Sequence, residues 1–225
     1  MSKLSLDIIT IDGPSGSGKG SAASIIARSL DYKLLDSGAI YRLAALNALN
    51  RSIDLSNEIA VASSLTELDI SFKSGEHLAI PFLDSKDVSA EIRSENAGDA
   101  ASIIAQYSTV REGLLNRQRA FLEPPGLVAD GRDMGTVVFP SARFKFFLLA
   151  SVEIRAERRH KQLISMGISD TIAKLQAEIA DRDERDRKRS VSPTIPAEDA
   201  ITIDSSLMTL DEVTNLMLSH IQESR

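Results

Sequence analysis

The sequence predicts an α/β fold, a five-stranded parallel sheet flanked by helices, and three observations carry that prediction. Short apolar runs recur at 7–12, 33–35, 127–129, 144–149 and 200–203, each suited to a strand buried on both faces. Stretches with helical spacing separate several of them, which is the alternation of a parallel sheet covered by helices. A glycine-rich segment, Gly13 to Ser21, joins the first run to the first helical stretch.

Taken in order, Asp7 to Asp12 reads as a strand stopped by Gly13 and Pro14, and Ser21 to Leu30 as a helix. Leu68, Ile70 and Phe72, then Leu78, Ile80 and Phe82, alternate on either side of Ser74-Gly75-Glu76, which predicts a hairpin and hence a small antiparallel insertion. From Glu91 to Leu122 the pattern is helical, ending at Pro124-Pro125-Gly126. Ser151 to Met166 and Ser169 to Arg189 read as two Arg-rich helices separated by Gly167, expected to form a mobile flap. Thr209 to Gln222 is amphipathic and should close the core. Phe144, Phe146 and Phe147 sit among apolar neighbours and are expected inside a strand rather than on a base-stacking platform.

A chain of 225 residues with 43% hydrophobic and 26% charged residues fits one globular domain with an insertion. Its net charge of −6 argues against general affinity for nucleic acid or anionic membrane, so an anionic ligand must be held by locally clustered Arg and Lys. There is no cysteine, which excludes disulfides, thiolate metal sites and a cysteine nucleophile. The apolar runs are too short for a signal peptide or a membrane span, and a cytoplasmic location is expected. His77, His160 and His220 show no metal-ligand spacing and are expected at the surface. No repeat or heptad suggests assembly, so a monomer is expected.

Gly13-Pro14-Ser15-Gly16-Ser17-Gly18-Lys19-Gly20-Ser21 follows a strand and opens a helix, the context that a phosphate-binding loop requires. Glycines let successive N–H groups converge on phosphate oxygens, the helix N-terminus adds positive potential, and Lys19 reaches the outer phosphates. The usual pattern has Ser or Thr directly after the lysine, whereas Gly20 intervenes here before Ser21. The chemistry indicated is phosphoryl transfer from ATP to a small acceptor. Two further polar segments end predicted strands, Asp36 to Arg42 and Asp130 to Gly135.

With these motifs, together with Asp87-Val88-Ser89, Val110-Arg111-Glu112 and Arg182 to Arg187, the chain resembles the bacterial cytidylate kinases, a family of nucleoside-monophosphate kinases, over nearly its whole length. In that family the Gly20-Ser21 form of the loop is normal. The resemblance implies a P-loop core at about 1–36, 123–154 and 190–225, a monophosphate-binding subdomain enlarged by the antiparallel insertion at about 37–122, and a helical lid at about 155–189. It implies phosphorylation of CMP and dCMP by ATP. Ser37, Arg111, Asp133 and Arg189 match residues that contact cytosine; Ser102, Arg182 and Asp186 match those near sugar and phosphate; Arg42 and Arg132 match phosphate-binding arginines. Arg158 and Arg159 fall where the family closes over ATP, and Lys19, Arg132, Asp130 and Arg158 are the expected catalytic set.

The residue types suit this chemistry. A carboxylate such as Asp133 can accept from the exocyclic amino group of cytosine but not from the uracil carbonyl. The alternative for Asp133 is a solvated carboxylate or a salt bridge to Arg132. The acceptor phosphate is already anionic, so transfer needs positioning and charge neutralisation rather than a strong base. Mg2+ is expected with ATP, held by Ser21 and through water by Asp130. Arg182, Arg185, Asp186 and Arg189 fall at i, i+3, i+4 and i+7, so one helix face carries three guanidiniums and a carboxylate, although alternating charge is more often a solvated face. Rival readings are a kinase for UMP or a non-nucleotide acceptor, a P-loop switch, and a nucleic-acid binder. No Asn-Lys-x-Asp guanine signature supports a GTPase switch.

Overall fold

The fold is taken from a computed structural model, which describes residues 6–73, 79–165, 167 and 169–223. The chain divides into two compact units, one formed by 1–35 with 122–225 and the other by 36–121.

The first unit is built on a five-stranded sheet of β1 (Asp7–Asp12), β2 (Lys33–Asp36), β6 (Gly126–Gly131), β7 (Phe144–Leu149) and β8 (Ile201–Asp204), in the order β2-β6-β1-β7-β8. β1 pairs in parallel with β6 and β7, and β7 with β8. Alternation along the pleat sends Ile9, Ile11, Val128, Phe146 and Leu148 to one core. There they meet Ala22, Ala23 and Ile26 of α1 (Lys19–Leu30) and Val213, Met217 and Ile221 of α8 (Leu210–Glu223). The three phenylalanines of β7 are buried, as expected. Register pairs Ile11 with Asp130 and Asp12 with Gly131, which sets the C-terminal ends of β1 and β6 side by side. Sequence order and strand order part company there, the usual place for a ligand in an open α/β sheet.

Two helices complete the unit, α6 (Val152–Ser165) and α7 (Ile172–Lys188). They form their own small core from Ala156, Leu163 and Leu175, with Ile179 against it. Met134–Val138, after β6, forms a π-helical turn that the sequence pattern does not suggest.

The second unit holds α2 (Ser37–Asn50), α3 (Glu58–Ser64), α4 (Glu95–Ile104) and α5 (Ser108–Arg119). Beside them lies an antiparallel sheet of β3 (Ile70–Lys73), β4 (Ile80–Leu83) and β5 (Lys86–Asp87). The expected hairpin is there with a third short strand added, while its expected turn at Ser74-Gly75-Glu76 lies outside the described residues. The stretch expected to be helical from Glu91 is a 3-10 turn at Glu91–Arg93 followed by α4 and α5, which are separated where Tyr107 adopts an extended conformation. Capping is local: Asp36, Asn57 and Ser94 accept from the N–H groups of Ala39, Ala60 and Ala97 to start α2, α3 and α4.

Candidate active site

In the first unit the glycine segment forms a tight turn from β1 into α1. Gly13 has φ +146°, and a Cβ there would stand 2.2 Å from the Leu148 carbonyl oxygen, so only glycine lets the loop leave β1 against β7. Gly18 caps α1 in a left-handed conformation. Lys19 is buried and its Nζ donates to the Pro14 carbonyl at 3.1 Å, as does Ser17 Oγ at 3.1 Å. Ser21 is exposed on the first turn of the helix. The Gly20 departure has a physical reason, since a Cβ at this position would lie 3.0 Å from Asp130 Oδ2. The carboxylate of β6 occupies the space that a side chain after the lysine would use.

Asp130 belongs to a group of three buried carboxylates with Asp12 and Asp133. Asp12 Oδ1 accepts from Met134 N and Oδ2 from Gly135 N, both at 2.8 Å, so it pins the turn that follows β6 to the end of β1. Burial pushes its pKa up to about 7 against the two amides, with Asp133 and Asp130 adding repulsion. Among the described residues no group of three or more His, Cys, Asp or Glu side chains is arranged to hold a metal ion by itself. The site nevertheless fits a cation that keeps its waters and takes few protein ligands: negative potential lies beside an exposed hydroxyl, with Asp130 Oδ2 against Gly20.

The α7 face is of the opposite sign. Arg132 Nε donates to Asp186 Oδ2 at 3.0 Å, so Arg132 pairs with α7 rather than with its neighbour Asp133. Burial alone would raise the Asp186 carboxyl, yet Arg132, Arg182 and Arg189 together hold it below the usual range. Arg189 is buried and its Nε donates to the Ser192 carbonyl. Arg158, on α6, directs Nη2 to the Ser205 carbonyl at 2.7 Å and Nη1 to Ser205 Oγ at 3.2 Å and to the Ser17 carbonyl at 3.4 Å. Arg159 donates to Gln162 Oε1.

In the second unit Ser37 Oγ donates to Gln118 Oε1 at 2.8 Å, both residues being buried. Arg111 stacks over Tyr41, 5.4 Å from the ring centroid, and donates to the Ala105 carbonyl at 3.0 Å. Ser102 is buried on α4. Arg42 is half-buried, and its Nε is buried without a hydrogen-bond partner, an arrangement that leaves a donor for a ligand.

Sequence reasoning missed Asp12, Gln118, Arg155 and Ser205. Asp12 reads as a strand end, and the signal that could have found it is a carboxylate immediately before a phosphate loop. Arg155 lies on the same Arg-rich helix as Arg158 and Arg159, and nothing in its local sequence sets it apart from them.

Comparison with known proteins gives a consistent result. Residues 9–223 match the model of a family described as Cytidylate kinase. A Cytidylate kinase of Shewanella loihica is 52% identical over 96% of this chain and 94% of its own length. Its counterpart in Vibrio parahaemolyticus is 52% identical over 96% of this chain and 95% of its own length, and that of Aeromonas salmonicida is 50% identical over 96% and 94%.

Proposed function

The chain belongs to the cytidylate kinase family and phosphorylates CMP to CDP, and from that premise we propose how its residues do so. The observation that carries the reading is the coexistence in one unit of a backbone-amide loop and a face of guanidiniums, which suit the two phosphate groups that must meet.

ATP lies with its phosphates along Gly13 to Ser21, where Lys19 follows the charge that passes to the β-phosphate as the bond to the γ-phosphorus breaks. The CMP phosphate is the nucleophile, and being anionic it needs no strong base. Arg42, Arg132 and Arg182 hold its oxygens and cancel the repulsion between two anions, with Arg158 and Arg159 acting on the ATP side. Ser21, and Asp130 through water, would hold Mg2+, which when bound would supply positive charge to neutralise the ATP phosphates. Ser37, Arg111, Asp133 and Arg189 read the cytosine, and Ser102 and Asp186 the sugar side. dCMP is an acceptor as well. The protein acts as a monomer in the cytoplasm, without nucleic-acid or membrane partners; among the described residues no helix is long and apolar enough to cross a membrane.

The test is ADP release with CMP, dCMP and UMP as acceptors. CMP should be favoured over UMP by roughly 10- to 100-fold in kcat/KM, because a carboxylate facing the uracil carbonyl is a buried acceptor left unpaired. Asp133→Ala should shrink that ratio while the KM for ATP stays within about twofold. Equal rates with CMP and UMP in the parent enzyme would defeat the cytosine assignment.

A further inference from the structure

A loop binds phosphate through its backbone only when several N–H groups point the same way. In a planar trans peptide the C=O of one residue lies opposite the N–H of the next, so whatever captures a carbonyl aims the amide that follows. Side chains capture three carbonyls of this loop, those of Pro14, Ser15 and Ser17. Pro14 O receives Lys19 Nζ and Ser17 Oγ, which aims the Ser15 amide from within the loop itself. Ser17 O receives Ser205 Oγ at 3.0 Å and Arg158 Nη1 at 3.4 Å, which aims the Gly18 amide. Ser15 O receives Arg155 Nη1 at 3.0 Å, which aims the Gly16 amide.

Four of the five N–H donors of Arg155 are engaged by the protein itself. Its side chain is 3% exposed, and its Nε donates to the carbonyls of Ala150 at 2.9 Å and Ser151 at 3.3 Å. Nη1 also reaches Asp183 Oδ1 at 3.0 Å, and Nη2 donates to Asp183 Oδ2, a bidentate pair with α7. Gly16 admits this arginine, because a Cβ at position 16 would lie 3.3 Å from Arg155 Cβ. A guanidinium held by three carbonyls and a carboxylate is fixed in place by the protein rather than free to follow a nucleotide.

We propose that Arg155 is a positioning residue that presents the Gly16 amide to ATP, and that the Arg155–Asp183 pair fastens the phosphate loop to the arginine-bearing helix α7. Asp183 directly follows Arg182 and precedes Asp186 by one turn, so the helix that carries guanidiniums toward phosphate also anchors the residue that shapes the loop. The inference rests on the loop being the ATP site.

The experiment compares Arg155→Met, Arg155→Lys and Asp183→Asn with the parent full-length protein. It measures Mg-ATP binding by calorimetry, steady-state KM for ATP and CMP, and the melting temperature. Glu184→Gln, at an exposed pair with Lys188 on the same helix, is the control and should bind ATP as the parent does. Arg155→Met and Asp183→Asn should weaken ATP binding about tenfold, the worth of one charge-assisted hydrogen bond, with the KM for CMP within about twofold. Arg155→Lys should not rescue, since one ammonium cannot serve carbonyl and carboxylate in a planar fork. If Arg155→Met does not fold, Asp183→Asn, at a partly exposed position of equal shape, still decides. Parental ATP affinity in Asp183→Asn overturns the proposal, and so does an equal rise in both KM values, which is general loosening. A parent that binds ATP but turns over no CMP would break the functional reading instead, while the ATP titration would still judge Arg155.

Discussion

Asp12 and Asp186 are two carboxylates of one unit, 4% and 6% exposed, that the protein treats in opposite ways. Asp12, at the end of β1, is raised to about 7 by burial, with Asp133 and Asp130 adding like charge. Asp186, on α7, suffers the same desolvation but is held down by Arg132, Arg182 and Arg189. Burial is common to both, so the sign of the neighbours decides which way each shifts. Beneath a net charge of −6 the molecule therefore keeps one acidic region at the strand ends, suited to a hydrated cation, and one cationic face on α7, suited to phosphate.

The largest test of that contrast removes each carboxylate in turn. Asp186→Ala should cost about 3–5 kcal/mol in urea unfolding at neutral pH, because it strips the counter-charge from clustered guanidiniums. Asp12→Asn should stay within about 1 kcal/mol of the parent. It relieves desolvation and repulsion, while leaving one backbone N–H without its acceptor costs about 1–3 kcal/mol, and the two effects offset. A loss of similar size for both variants would show that burial and not local sign governs the two sites.

The two groups should also bend the stability profile in opposite directions. The folded value for Asp12 lies above its ordinary 3.8, so the folded state keeps a proton that the unfolded chain has lost. Its contribution is complete below pH about 4 and is lost as pH rises through about 7, by an amount on the order of a few kcal/mol. Asp186 is lowered, so its contribution is present above its ordinary 3.8 and is lost as pH falls below it. Unfolding measured from pH 3 to pH 8 with Mg2+ chelated should show the first slope vanish in Asp12→Asn and the second in Asp186→Asn. A flat difference between parent and Asp12→Asn across this range would remove the acidic region as described.

What could be read from the sequence follows the distance over which each signal acts. β1, β7 and the glycine loop are each coded within one short segment, and their limits are close to those expected, although α1 begins at Lys19 rather than Ser21. The guanidinium face was legible in part: Arg182, Arg185 and Asp186 lie on α7 as the spacing predicts, whereas the helix ends at Lys188 and Arg189 reaches Asp186 from an extended C-cap rather than from the helix face. Asp12 was not, because its partners Met134 and Gly135 lie 122 and 123 residues away in a turn of unforeseen π-helical form. Arg155 is separated from Ser15 by 140 residues and Ser37 from Gln118 by 81, pairings that tertiary packing creates and that no periodicity announces. Local chemistry proclaims itself in a sequence, whereas the groups that aim it do not.

The smallest expected effect probes the acidic region where it meets the loop. Gly20→Ser would restore the usual hydroxyl after the lysine, but its Cβ would lie 3.0 Å from Asp130 Oδ2, so one of the two must give. Crowding at such a contact typically costs 1–3 kcal/mol, against which a serine gains roughly 0.5 kcal/mol over glycine in a helix and can donate to the displaced carboxylate. The net loss of stability should thus be no more than about 1 kcal/mol, a few degrees in melting temperature. If Asp130 holds Mg2+ through water, even a small displacement should raise the Mg2+ concentration for half-maximal turnover by about two- to fivefold, equivalent to less than 1 kcal/mol. The KM for CMP should not follow, since the α7 face is untouched. An unaltered Mg2+ requirement in a folded Gly20→Ser protein would detach Asp130 from the cation and leave Ser21 as its sole proposed protein ligand.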